Sequence, residues 1–323
     1  MMSYNNLTTE ELAAKAEQLE QSGMLNEALE VWRVANQREA DPVLLCEFAS
    51  LAIKLEKGSD AEEALVTAVN LAPELPNPHT LLGFLYFERG MLEKAVSCFQ
   101  KSLAIEPSAS VFTSLGAVQL ELGFAEDARA SLEEAIRIDV DYEEAYYNLA
   151  LSYKDTKPLV AIDLFEKAVE LDPEYAQAHR ELGWALSRLE GKEAEAEYHV
   201  RRAIELNDGD GWAHIYLGNI LWQGADLNSA EQSFEEALKV WSETAVPYWC
   251  LALFYENQER KDEAERLYQL GLDLDPDDPQ ANKLFGIYLK DIGEPAKAKR
   301  YLERAHALDP KDQSITEMLA TGN

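Results

Sequence analysis

An alanine recurs along this chain every 33 to 35 residues, at Ala28, Ala61, Ala95, Ala128, Ala161, Ala196, Ala230, Ala264 and Ala298. Four residues after each stands a large apolar side chain: Trp32, Leu65, Phe99, Leu132, Phe165, Val200, Phe234, Tyr268 and Leu302. From the third unit on, a large-small pair precedes the alanine: Leu82-Gly83, Leu115-Gly116, Leu149-Ala150, Leu182-Gly183, Leu217-Gly218, Leu251-Ala252 and Phe285-Gly286. Such a period means stacked units, each packing on its neighbours, and it overrides the two-domain expectation that 323 residues would raise.

Residues 76–107 show the unit best: PNPHTLLGFLYFERGMLEKAVSCFQKSLAIEP. Pro78 sits where proline opens a helix, running to about Arg89. Gly90 stops it, a second helix covers Met91 to Ile105, and Pro107 closes the unit. Gly83 and Ala95 are small enough for the two backbones to approach, with Tyr86 and Phe99 filling the space beside them. Gly23, Gly90, Gly123 and Gly293 stand between paired helices as stops. Thr8 with Glu11, and Ser59 with Glu62, read as capping boxes.

This pattern resembles the tetratricopeptide repeat family over roughly residues 7–312. The resemblance implies an all-α fold, a right-handed α-solenoid of about nine helix-turn-helix repeats. The repeats start near residues 9, 42, 76, 109, 142, 176, 211, 245 and 279, in a single domain spanning 1–323. Residues 1–6 are expected to be disordered. A C-terminal helix over 312–321, with Ile315, Met318 and Leu319 on one face, caps the last repeat. Repeats five and six depart in opposite directions: Ala150 to Ala161 is one residue short, with Pro158 in the turn, and Gly183 to Ala196 is one residue long. Some family members hold acidic peptide tails in a clamp of lysine, arginine and asparagine. Asn148 and Asn219 match single positions of that clamp, but Arg180 is followed four residues later by Trp184, so the set does not assemble.

There are 29 basic and 60 acidic side chains, a formal charge of −31. Such a chain repels nucleic acid and anionic membranes and attracts basic partners. Cys46, Cys98 and Cys250 are odd in number and far apart, and read as reduced, packed thiols of a cytoplasmic protein. No signal peptide or apolar run long enough to span a membrane is visible. Phosphate-binding, dinucleotide and nucleophile-elbow motifs are absent from the sequence, so no enzyme, cofactor or metal is expected. His79, His179 and His214 share one place in three repeats and read as packed rings.

The side of the first helices opposite the large-small pair should be polar if it faces only water. It holds instead Phe84 and Phe87; Tyr147, Asn148 and Leu151; Arg180 and Trp184; Trp212, Ile215, Tyr216, Asn219 and Trp222; and Trp249 and Leu253. In the resembling family this side lines a concave groove. Clustered exposed aromatics mark binding surfaces, although burial between adjacent first helices would also account for them. Glu88, Glu121, Glu144, Asp155, Glu181 and Glu256 make the edges mostly acidic. The expectation is a protein-protein scaffold or adaptor clasping a protein or peptide segment with apolar anchors and basic residues. Self-assembly into a homo-oligomer, and an acidic subunit covering a basic surface of a larger enzyme, remain alternatives.

Overall fold

A computed structural model of the chain describes residue 4 and residues 6–320. Among these there are nineteen helices and no strand. The chain divides into two compact units, Met1–Leu171 and Asp172–Asn323. The boundary falls between the two repeats of irregular length.

The first unit holds five helix pairs: α1 Thr9–Gln21 with α2 Leu25–Arg38, α3 Pro42–Lys54 with α4 Gly58–Leu71, α5 Pro76–Glu88 with α6 Leu92–Ile105, α7 Ala109–Glu121 with α8 Ala125–Ile138, and α9 Glu143–Tyr153 with α10 Pro158–Leu171. The second holds four pairs and a last helix: α11 Ala176–Leu186 with α12 Glu193–Leu206, α13 Gly211–Gln223 with α14 Leu227–Val240, α15 Ala245–Asn257 with α16 Lys261–Leu274, α17 Pro279–Asp291 with α18 Pro295–Leu308, and α19 Gln313–Ala320.

The recurring alanines and the large residues after them are all buried, none more than 3 % exposed. The reason for the small partner is steric. A Cβ added at Gly83 would sit 2.5 Å from the Phe99 ring, and one at Gly218 would sit 2.9 Å from Phe234. Larger side chains there would force the paired helices apart.

Several local expectations change. α5 begins at Pro76, two residues before Pro78. Thr8 and Glu11 form their capping box, but Ser59 and Glu62 do not. α4 starts at Gly58, and Glu62 turns instead to the next repeat, accepting from the Tyr86 hydroxyl at 3.0 Å and from the Arg89 guanidinium. Pro158 is the first residue of α10 rather than part of the turn, and the missing residue is absorbed by shortening α9. Of the segment expected to be disordered, residues 1–3 and 5 lie outside the described residues. Tyr4 packs on the first core, and its carbonyl accepts from Arg38 at 2.7 Å. Thr321, the expected end of the last helix, also lies outside them.

Five of the turns between paired helices use a glycine at positive φ: Gly23, Gly90, Gly123, Gly191 and Gly293. Glu56, Ala225 and Glu259 adopt the same left-handed conformation with a side chain attached, at φ of 58°, 62° and 59°. For an L-residue this conformation costs about 1–2 kcal/mol, partly offset by the greater unfolded-state entropy of glycine. Ala225→Gly should therefore stabilise the protein by about 0.5–1 kcal/mol, read as a higher denaturation midpoint at unchanged slope. A lower midpoint would refute it.

Candidate partner-binding surface

The first helices of the second unit carry the densest group of aromatic residues. α13 has no charged side chain, and α15 has one, Glu256. On their core side Leu217, Gly218, Leu221, Leu251 and Ala252 are buried. On the other side Trp212, Tyr216, Asn219, Trp222, Trp249 and Leu253 are half-buried, as is Trp184 of α11. The rings touch one another. Trp184 stacks on Tyr216 with centroids 4.6 Å apart and planes 17° apart. Tyr216 meets Trp212 at 5.8 Å, and Trp212 meets Trp241, at the end of α14, edge to face at 5.8 Å. This four-ring ladder runs from α11 across α13. Trp222, ten residues beyond Trp212, is separate from it and packs edge to face on Phe254 at 5.4 Å.

Polar groups hold the ladder in place. Arg180, one turn before Trp184, donates to Glu181 at 2.9 Å and to Asp210 at 2.6 Å. All three side chains are at most 15 % exposed. A buried cation between two carboxylates is consistent with a positioning role, since removing one member would strand charge. Asp210 also caps α13, accepting from the backbone N–H of Trp212 and Ala213. Trp249 donates its indole N–H to Asp278, the cap of α17, at 3.2 Å. Asn219 spends one amide N–H on the carbonyl of Ile215 at 3.0 Å, four residues back on its own helix.

In the first unit the expected residues lie on α5 and α9. Phe84, 37 % exposed, packs edge to face on Phe99 at 5.2 Å, and Phe87 is half-buried against the core. Tyr147 lies on Phe165 at 5.8 Å, Leu151 is half-buried, and Asn148 is buried with its amide on the carbonyl of Glu144.

Two expectations about this surface are corrected. Ile215 is 2 % exposed and belongs to the core, because it falls on the flank of α13 that faces its neighbours. Glu181 is no acidic edge, being buried against Arg180, whereas Glu88, Glu121, Glu144 and Asp155 are exposed. Glu256 is half-buried and accepts from the Tyr268 hydroxyl at 2.8 Å; burial raises its carboxyl above the usual range. Trp241 escaped sequence reading because it lies outside the first helices. Its one signal is Gly211, where an added Cβ would run into the Trp241 ring.

Of the three equivalent histidines His79 and His179 are buried and His214 is half-buried, and all three are polar in function. His79, His179 and His214 each bond through Nε2 to the carbonyl six residues back, at 3.2, 3.2 and 3.0 Å. Tyr146, Tyr248 and Asn282 make the same i−6 bond from the same helix position. The fourth residue of these helices thus fastens the turn that precedes it. Among the described residues no three His, Cys, Asp or Glu side chains gather as a metal site, and no helix is long and apolar enough to cross a membrane. Cys46, Cys98 and Cys250 are free and buried, and burial raises their thiols, Cys46 to about 11.

The fold is that of an all-helical repeat protein built from stacked helix pairs. The tetratricopeptide repeat family models match residues 76–109, 153–211 and 217–279. The chain is a tetratricopeptide repeat protein. It is 27 % identical over 259 residues to superkiller protein 3 of Schizosaccharomyces pombe, covering 74 % of this chain and 18 % of that one. It is 26 % identical over 229 residues to the TPR repeat-containing protein YpiA of Bacillus subtilis, covering 70 % and 54 %. The chain spans less than a quarter of the length of the first relatives it matches. Two of those, SPINDLY of Hordeum vulgare and human TMTC1, are named as transferases and match over 33 % and 61 % of this chain. Its fold matches a tetratricopeptide repeat protein from Parabacteroides merdae (TM-score 0.65, 16 % identity, 76 % of this chain and 98 % of that one). It also matches the APC/C hetero-tetramer Cut9-Hcn1 (TM-score 0.63, 18 % identity, 92 % and 59 %). Repeats of this family generally mediate protein–protein contacts, and the fold is typically a non-catalytic scaffold.

Proposed function

We propose that the protein is a non-enzymatic adaptor whose aromatic surface on α11, α13 and α15 docks a segment of a partner protein. The observation that carries this is the composition of α13 and α15. Two consecutive first helices with a single charge between them are apolar on the core side and on the side away from it. A helix apolar all round is ordinarily covered on both sides, and here one side stays half-open. Rigid aromatic rings bury much area with few rotatable bonds, which suits them as anchors. Phe84, Phe87, Tyr147 and Leu151 extend the same role to the first unit, with Asn148 buried. The formal charge of −31 favours a basic partner over a second copy of this acidic chain.

The test is affinity purification with the wild type and with Trp212→Ala, followed by titration of the partner so identified. Trp212→Ala should weaken binding by about 2 kcal/mol, roughly thirtyfold. Unchanged affinity in a folded variant would move the binding site off this surface.

A further inference from the structure

The repeats of the second unit provide their own comparison. In three of them the fifth residue of the first helix reaches the aspartate that caps the first turn of the next repeat or of α19: Arg180 to Asp210, Trp249 to Asp278, and Lys283 to Asp312. Each aspartate divides its oxygens in the same way. Oδ1 caps its own helix: from Trp212 and Ala213 N–H at Asp210, from Gln280 and Ala281 N–H at 2.8 and 2.9 Å at Asp278, and from the Ser314 N–H and hydroxyl at 2.9 and 2.6 Å at Asp312. Oδ2 takes the group from the preceding repeat, at 2.6 Å for Arg180, 3.2 Å for Trp249 and 2.7 Å for Lys283.

The charges do not match. Arg180, shared with Glu181, brings a positive charge to Asp210, and Lys283 brings one to Asp312. Trp249 brings a neutral N–H, and no lysine or arginine among the described residues pairs with Asp278. The helix dipole favours a negative charge at all three caps, so it does not distinguish them. Asp278 therefore lacks the cationic partner that its two counterparts have. Burial, and after it the Asp278 carboxylate, raises the Cys250 thiol beside Trp249. Asp278 and Trp249 are both half-buried, so solvent reaches the pair. The indole N–H bond fixes the ring beside the carboxylate, leaving a π face next to an acceptor.

We infer that Trp249 and Asp278 form an anchor subsite for an arginine or lysine side chain of the docked segment, which takes the place that Arg180 and Lys283 fill internally in the other repeats. The inference rests on the docking surface proposed above. A cation on the indole face gains from the ring quadrupole as well as from the carboxylate, and Arg gains most. An acidic ligand is disfavoured on the same grounds: α13 and α15 carry no basic residue, and the one on α11, Arg180, already binds two carboxylates.

The experiment selects a random phage-displayed peptide library on the full chain and retests the enriched peptides on Asp278→Asn, Trp249→Arg, and Trp184→Ala with Trp212→Ala. Asparagine caps a helix as well as aspartate does, so Asp278→Asn keeps α17 intact while removing the charge. Trp249→Arg recreates the internal cation of repeat six. Enriched peptides should share one basic residue at a fixed distance from an aromatic or aliphatic anchor. They should bind about tenfold more weakly to Asp278→Asn, at least as weakly to Trp249→Arg, and lose less affinity with added salt on Asp278→Asn than on the wild type. Peptides that need Trp184 and Trp212 but carry no fixed basic residue, and bind Asp278→Asn equally well, would overturn the subsite and leave the docking surface standing. Peptides indifferent to Trp184→Ala and Trp212→Ala, in variants whose melts show them folded, would overturn both.

Discussion

Trp32→Ala should remove about 3–5 kcal/mol of stability, whereas Trp212→Ala should remove much less. Trp32 is 1 % exposed and fills the space between α1 and α2, and its indole N–H donates to Glu20 at 2.6 Å. Truncation leaves a cavity and a carboxylate without its donor. Trp212 meets the Tyr216 and Trp241 rings of its own surface and is only half-buried. Chemical denaturation of the two variants side by side measures the contrast. Equal losses would mean that the Trp212 surface is core packing, and the docking proposal would fail with it.

The same contrast explains what could be read from the residues alone. Ala95 and Phe99 sit in one helix, and their spacing to Gly83 is set by a single tight turn. Local geometry therefore decides the contact, and a sequence pattern suffices to predict it. Stacking repeats this arrangement, so the helix starts at 42, 76, 109, 176, 211, 245 and 279 follow from periodicity. The aromatic residues of α11, α13 and α15 were legible because they break the polarity expected of an exposed stripe. What was not legible depends on the step from one repeat to the next. Glu62 looks like a capping residue until Arg89 and Tyr86, more than twenty residues on, prove nearer. Asp278 caps its own helix, but its second oxygen is claimed by a residue 29 positions earlier, which no local pattern shows. Ile215 and Tyr216 are neighbours in sequence, and only the flank of the adjoining helices decides which is buried.

The packing of α11 on α12, within one repeat, also produces a titrating pair. The sequence placed His179 on a core stripe and gave His199 no role. In the structure their Nδ1 atoms face each other at 2.9 Å, with the rings 5.1 Å apart. His179 donates from Nε2 to the Pro173 carbonyl, so its neutral ring accepts at Nδ1, and His199 must be the donor. A second proton on His179 would set two N–H groups against each other. Burial, and for His199 the neighbouring His179, push both imidazoles down, His199 to about 4. Asp172 opposes the shift on His179 and Arg202 adds to it, while Glu195 opposes the shift on His199. The unfolded chain therefore binds protons near pH 6.5 that the folded chain refuses. Stability from this pair is complete above about pH 6.5 and is lost as pH falls toward 4. The two rings titrate as a unit, and after allowance for partial solvent screening the loss is on the order of 2 kcal/mol. His199→Phe keeps the ring volume and removes the titration of His199, while His179 stays buried in both proteins. It should be less stable than wild type at pH 7, where it lacks the bond to His179, and should close that gap by about 2 kcal/mol at pH 4.5. Denaturant melts of both proteins at the two pH values measure the difference, which cancels the carboxylates they share. A gap that stays constant between pH 7 and pH 4.5 would show that His199 carries no linked proton.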